Sequence, residues 1–153
     1  VTTVRVETAR QMLAACRAAL PADAAVMVAA VADWRPAQAS GAKLKKTKGE
    51  GGHIDLAENP DILKTVSSGP ARPKLVVGFA AETGDLEAQA KAKLAYKGCD
   101  WIVANDVSEE GVMGGVDNTV LLVTAAGGEA WPKLPKAEVA QRLADRIAAA
   151  LAS

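Results

Sequence analysis

Asp33 stands where the uncharged run Ala24–Ala32 stops, and four lysines follow in a span of six positions at Lys43, Lys45, Lys46 and Lys48. A carboxylate at the end of a strand, with a hinged cationic arm beside it, suits an anionic small molecule held at the rim of an α/β sheet. Lys93 and Lys97 lie one helical turn apart, so both ammonium groups can reach one anion. As ordinary solvated lysines they would simply cover a helix face. Asn59-Pro60-Asp61 opens a helix, with Asn59 as cap, Pro60 at the first helical position and Asp61 complementing the dipole. The free N–H groups at such an end can face an anion or the polar edge of a nucleotide. Glu82 and Asn105-Asp106 close two further apolar runs, Leu75–Ala81 and Trp101–Ala104.

Other reactive side chains carry less. His53 has no Cys, Asp or His partner at ligand spacing and is read as a solvated residue of the arm rather than a base. Cys16 and Cys99 lie far apart without metal-ligand spacing and are read as reduced, buried thiols.

The positioning elements follow from periodicity. Val1–Val6 reads as a short strand. A helix starts at Glu7-Thr8 with Ala9, Met12, Leu13, Cys16 and Leu20 on one face, and Pro21-Ala22-Asp23 breaks it. Ala24–Ala32 does not alternate, which predicts a strand covered on both faces. Lys43–Lys46 and Gly52–Leu56 read as limbs of a hairpin turning at residues 47–51. Helices are expected over Pro60–Val66 and Asp85–Lys97, the latter ended by Gly98 and turning Leu86, Ala90 and Leu94 to the core. A flexible loop is expected at Gly111–Gly115. A hairpin follows from Thr119, with its turn at Ala126-Gly127-Gly128 and Trp131 on its return limb. Lys136–Ala152 is an amphipathic helix with Val139, Leu143, Ile147 and Leu151 on one stripe.

This βα alternation predicts a parallel sheet with right-handed crossovers, whose strand ends share one edge. Asp33, Phe79 with Glu82, and Asn105-Asp106 should converge there. The fold expected is a Rossmann-like three-layer α/β sandwich with a mostly parallel sheet. A β flap at about residues 35–58 protrudes from it, a C-terminal hairpin plus helix completes it, and the amino end is incomplete. The 153 residues, half of them apolar, suffice for one domain spanning 1–153. Eighteen basic and eighteen acidic residues cancel, so no global field favours nucleic acid or an anionic membrane. No apolar stretch approaches the ~20 residues of a membrane span. A cytoplasmic protein is expected. The chain begins at Val1 without methionine and reads as a piece of a longer protein.

The runs A-A-V-A-D-W, A-K-L-K-K, N-P-D-I-L, V-V-G-F-A-A-E-T, A-K-L-A-Y-K-G-C-D and V-A-N-D-V, in this order, resemble phosphopantothenate–cysteine ligase. That is the synthetase half of the bifunctional coenzyme A biosynthesis protein. The resemblance implies CTP-dependent activation of 4'-phosphopantothenate as an acyl-cytidylate, then amide formation with L-cysteine. It implies Mg²⁺ on the nucleotide, with no metal ligands identified in the sequence. It also implies a homodimer formed through the flap, and a decarboxylase domain in the full-length protein. Met27, Val28, Ala29, Asp33, Lys43, Pro60, Asp61, Ile62, Leu63, Phe79, Lys93 and Lys97 match nucleotide-contacting positions, with Lys43 and Asp33 nearest the chemistry. The family's G-G-T-x-E turn and N-x-S-S-G segment are absent from this sequence. In the family they supply an asparagine that handles the acyl intermediate and much of the phosphopantothenate pocket. The chain alone is therefore expected to bind CTP weakly and not to complete ligation. ATP serves in place of CTP in relatives elsewhere.

Two other readings compete. A fragment of a nicotinamide-dependent oxidoreductase shares the Rossmann-like layout but should show G-x-G-x-x-G after a strand, which this sequence lacks. A non-catalytic interaction module would use the lysine arm to dock an acidic partner.

Overall fold

The structure, a computed structural model, describes residues 1–38, 53–82, 84–106 and 117–152. Helix α1 (Ala9–Ala18) starts at a capping box. The Gln11 N–H donates to the Thr8 hydroxyl, and the Thr8 N–H donates back to Gln11 Oε1. In order there follow β1 (Ala24–Met27), β2 (Trp34–Pro36), β3 (Leu56–Glu58), α2 (Ile62–Ser68), β4 (Leu75–Glu82) and α3 (Leu86–Lys97). The chain closes with β5 (Trp101–Asp106), β6 (Asp117–Asn118), β7 (Val120–Thr124), β8 (Gly127–Ala130), β9 (Leu134–Pro135) and α4 (Lys136–Ala152).

The main sheet runs β1-β4-β5-β7-β8, parallel from β1 to β5 and antiparallel beyond. Alternation along β4 divides the core. Leu75 and Val77 face α4 together with Val103, Leu122, Trp131, Val139 and Leu143. Val76 and Ala80 face α2 and α3 together with Ala90, Ile102 and Val123, and Leu63, Leu86 and Leu94 pack on them. Helices thus cover both faces of the sheet, which is the expected three-layer α/β arrangement. Two smaller antiparallel pairs, β2–β3 and β6–β9, stand apart from the main sheet.

Local chemistry fixes α3 at both ends. Asp85 caps it by accepting the Ala88 N–H, and Gly98 ends it at φ +68°, returning its N–H to the Leu94 carbonyl. At the other edge of the sheet Asp100 takes both oxygens to Arg72 at 2.9 Å and accepts the Val76 N–H at 2.7 Å. Arg72 also donates to the Ser67 and Pro73 carbonyls, so one ion pair ties α2, β4 and β5 together.

Gly78 is required by packing. A Cβ there would fall 2.5 Å from Leu63 Cδ2 and 3.0 Å from Ile102 Cδ1. Gly78→Ala is expected to cost about 1–3 kcal/mol by overpacking α2 against β4. Urea denaturation checks this, and an unchanged midpoint would show that Leu63 yields freely.

Three expectations need correction. Val1–Val6 is not a strand. No strand lies beside it among the described residues, and Val1 and Val4 are exposed. Only Ala24–Met27 of the run Ala24–Ala32 is strand, and it is not covered on both faces. It forms the edge of the sheet, paired on one side by β4, with Val26 and Val28 exposed. The cap of α2 is Asp61, which accepts the Lys64 N–H at 3.0 Å, so the helix begins at Ile62 rather than Pro60.

The base of the expected flap is present as β2–β3, with Trp34 opposite Glu58 and Pro36 opposite Leu56. His53 is exposed, as expected. The lysine limb at residues 43–46, the turn at 47–51 and the loop Gly111–Gly115 lie outside the described residues. Cys16 and Cys99 are free thiols. Cys99 is buried and Cys16 only half-buried, and burial pushes the Cys99 thiol above its ordinary pKa. No helix among the described residues is long and apolar enough to cross a membrane.

Candidate functional site

Parallel strands bring their carboxyl ends to one edge, and the chain leaves β1 and β4 there. A cleft of about 390 Å³ opens beside those ends. Met27, at the end of β1, and Ala29, just beyond it, form one wall, which continues to Asp33 where the chain turns into the flap base. Pro60, Asp61, Ile62 and Leu63, the approach to α2 and its first turn, form another part of the wall. Phe79 contributes from β4, and Lys93 and Lys97 reach in from successive turns of α3. Four elements distant in sequence therefore supply one concave surface.

The lysines are held in place. Lys93 Nζ lies 2.5 Å from Glu82 Oε1, and Lys97 Nζ lies 2.6 Å from Asp61 Oδ2. Two cations approach the Tyr96 ring, Lys64 Nζ at 4.0 Å and Lys97 Nζ at 5.4 Å from its centroid. Asp61 serves twice. One oxygen caps α2 and the other fixes Lys97.

Sequence reasoning missed several residues. Asn59, expected to cap α2, instead ties the two walls together. Its Nδ2 donates to the Ala32 carbonyl at 2.9 Å, and its N–H donates to the Asp33 carbonyl at 2.7 Å. Asn59 therefore positions Asp33, and Arg35 adds a bond to the Glu58 carbonyl across the flap base. Met12 of α1 also lines the cleft. The half-buried helical stripe to which Met12 belongs could have flagged it.

Two expected residues face elsewhere. Val28 and Asn105 line a second groove of about 650 Å³ between the β1–β4 ends and α4, and Phe79 borders both spaces. Along an extended chain successive side chains alternate, so Met27 and Val28 cannot share a face. The groove is mainly apolar, with Val26, Val139, Leu143 and Ile147 in its walls. The side-chain oxygens of Asn105 and Asn118 are buried there without a hydrogen-bond partner among the described residues. The expected alignment on one strand-end edge holds, with Ala81 beside Asn105 and Glu82 beside Asp106 in register. Of these residues only Asp33 and Phe79 line the cleft itself, while Glu82 reaches it through Lys93 and Asn105 opens into the second groove. Lys43 lies outside the described residues.

Comparison with known proteins agrees with this fold. Residues 1–151 match the family model described as the DNA/pantothenate metabolism flavoprotein C-terminal domain. The chain is 39% identical over 147 residues to the coenzyme A biosynthesis bifunctional protein CoaBC of Vibrio vulnificus, covering 94% of this chain and 37% of that protein. It is 42% identical over 142 residues to the CoaBC of Mycolicibacterium smegmatis, covering 86% and 34%. It thus spans about a third of the length of these curated relatives. Among solved structures, the C-terminal domain of a CoaBC superposes with a TM-score of 0.75 at 34% identity, over 99% of this chain and 68% of that one. A flavoprotein of DNA/pantothenate metabolism from Streptococcus pneumoniae shares the fold, with a TM-score of 0.73 at 18% identity over 97% of this chain and 71% of that one. By fold, by sequence and by the length of the match, the chain belongs to the family of DNA/pantothenate metabolism flavoprotein C-terminal domains.

Proposed function

We propose that this chain is the CTP-binding part of a phosphopantothenate–cysteine ligase. In that reaction the carboxylate of 4'-phosphopantothenate attacks the α-phosphorus of CTP, forming an acyl-cytidylate and releasing pyrophosphate. The amine of cysteine then attacks the acyl carbon and expels CMP. The observation that carries the reading is the meeting of Asp33, the start of α2, Phe79, Lys93 and Lys97 around one cleft.

The residue types suit the chemistry. A carboxylate approaching a triphosphate is repelled, and preorganised cations offset that repulsion where it counts. Lys93 and Lys97 are compact charges on flexible stems, able to follow phosphate oxygens. Asp33 and the backbone near Phe79 and Pro60 would hold the ribose and base. Lys43 would bring charge on the flap, which closes the site against hydrolysis of the acyl intermediate. The homodimer and the decarboxylase domain belong to this same reading.

Mg²⁺ carried on the triphosphate would neutralise charge and ease pyrophosphate departure. Among the described residues no three His, Cys, Asp or Glu side chains gather as a metal cage. Asp33 and Asp61 are the carboxylates in the cleft walls. That sparse set fits a hard cation that keeps most of its ligands from phosphate and water.

Calorimetry with CTP, ATP, CMP and NADPH tests the proposal. Heat of binding with CTP but not with NADPH is expected. Binding of NADPH alone would move the chain to the oxidoreductase reading, and silence with every nucleotide would remove the function proposed.

A further inference from the structure

Neither lysine of the cleft stands free. Lys93 is 33% exposed and its partner Glu82 19%, while Lys97 is 23% exposed and Asp61 30%. These pairs are shielded from water on most sides, so their charges act on one another, and on an incoming ligand, more strongly than surface charges do. Two ammonium groups and two carboxylates sum to zero. Asp33, also lining the cleft, then leaves the described side chains of the cleft, taken with Glu82, negative overall. A cationic pair alone would make a site greedy for any polyanion, and this cleft is not built that way.

Consider what a triphosphate meets. It must take the lysines from Glu82 and Asp61, and it then leaves two carboxylates facing its own oxygens. The backbones that carry the two carboxylates stay in place. Glu82 is the last residue of β4, its backbone fixed in register with Asp106 of β5. Asp61 is pinned by its cap on the Lys64 N–H. A triphosphate that already carries a divalent cation has two fewer negative charges, and the same carboxylates then face a ligand whose charge has been reduced.

We propose that Glu82 and Asp61 are specificity-determining counter-ions, which bias the cleft toward the metal complex of a nucleoside triphosphate and against the metal-free polyanion. This rests on the nucleotide reading above, and adds to it a reason for the metal that lies in the protein's own charges. The two carboxylates belong to different elements, the end of β4 and the cap of α2, so each tests the idea separately.

The test measures CTP affinity by calorimetry with Mg²⁺ and again with EDTA, for the unaltered chain and for Glu82→Gln and Asp61→Asn. Both substitutions keep shape and one acceptor oxygen, and asparagine still caps a helix. The unaltered chain should favour the Mg²⁺ form. Each substitution should shrink that preference by about threefold or more, mainly because metal-free CTP gains affinity. If both forms weaken together and the preference stays constant, the carboxylates merely hold the lysines in place and the inference is overturned, while the nucleotide reading survives. If the unaltered chain binds CTP in neither condition, the nucleotide reading itself fails and this inference goes with it.

Discussion

Lys97→Ala is expected to weaken CTP binding by about ten- to a hundredfold, the equivalent of one charge-assisted hydrogen bond to phosphate. Lys93→Ala should do the same, and both should cost CMP far less. Two effects add. The ammonium that would meet a phosphate oxygen is lost, and Asp61 or Glu82 is left without the lysine that now neutralises it. An unneutralised carboxylate at 19% or 30% exposure repels the incoming ligand as well. The contrast with CMP is the informative part. Equal losses for CMP and CTP would place these side chains away from the β and γ phosphates. Isothermal calorimetry at fixed ionic strength measures both, and urea denaturation of each variant separates lost binding from lost folding.

Trp131→Ala should be the most damaging single change to the fold, at about 3–5 kcal/mol. The side chain is 2% exposed and belongs to the core layer between the sheet and α4. Its backbone N–H donates to the Val120 carbonyl at 2.8 Å, and its indole N–H donates to Glu129 Oε1 at 3.1 Å. Arg142 lies 4.7 Å from the ring centroid and also pairs with Glu129, as does Arg146. Removing the indole opens a large void and takes away the surface on which Arg142 rests. Against a domain stability of roughly 5–15 kcal/mol, such a loss populates the unfolded state appreciably. Trp131→Phe keeps most of the volume and should lose only about 1 kcal/mol, mainly the indole hydrogen bond. A urea midpoint for Trp131→Ala within the range of Trp131→Phe would mean that α4 collapses onto the sheet and fills the space.

Much of this was legible where local rules and tertiary packing agree. Leu75–Glu82 is a central strand because seven uncharged residues in a row end at a glutamate. α3 was readable at both ends, from Asp85 and Gly98, and the α4 stripe from Val139 to Leu151 is the face that packs. The hairpin before α4 came from its glycines and Trp131. What failed depended on neighbours. An apolar run reads alike whether or not helices cover both of its faces, so Ala24–Ala32 promised cover on both faces while Val26 of β1 is exposed. Val1–Val6 has strand-like residues and no strand beside it.

The site divides along the same line. Asp33, Pro60, Asp61, Ile62, Leu63, Phe79, Lys93 and Lys97 share a cleft because strand ends and helix starts in this fold meet on one edge. Val28 and Asn105 depart because side chains alternate across the sheet, and resemblance by position does not state which face each takes. The lysine–carboxylate pairs were illegible for a plainer reason. Asp61 and Lys97 are 36 residues apart, and no spacing rule connects them.

The outer side of β1 shows where crowding will act first. Ala24–Met27 carries no charge and no proline, and on its free side its amide and carbonyl groups meet no strand among the described residues. Edges of that kind adhere to one another as concentration rises, and natural sheets usually guard them with lysine, proline or a bulge. The residues of β1 themselves supply neither lysine nor proline. Handling the chain in concentrated solution therefore invites edge-to-edge aggregation, and the same backbone is the natural seat for a complementing strand supplied in trans.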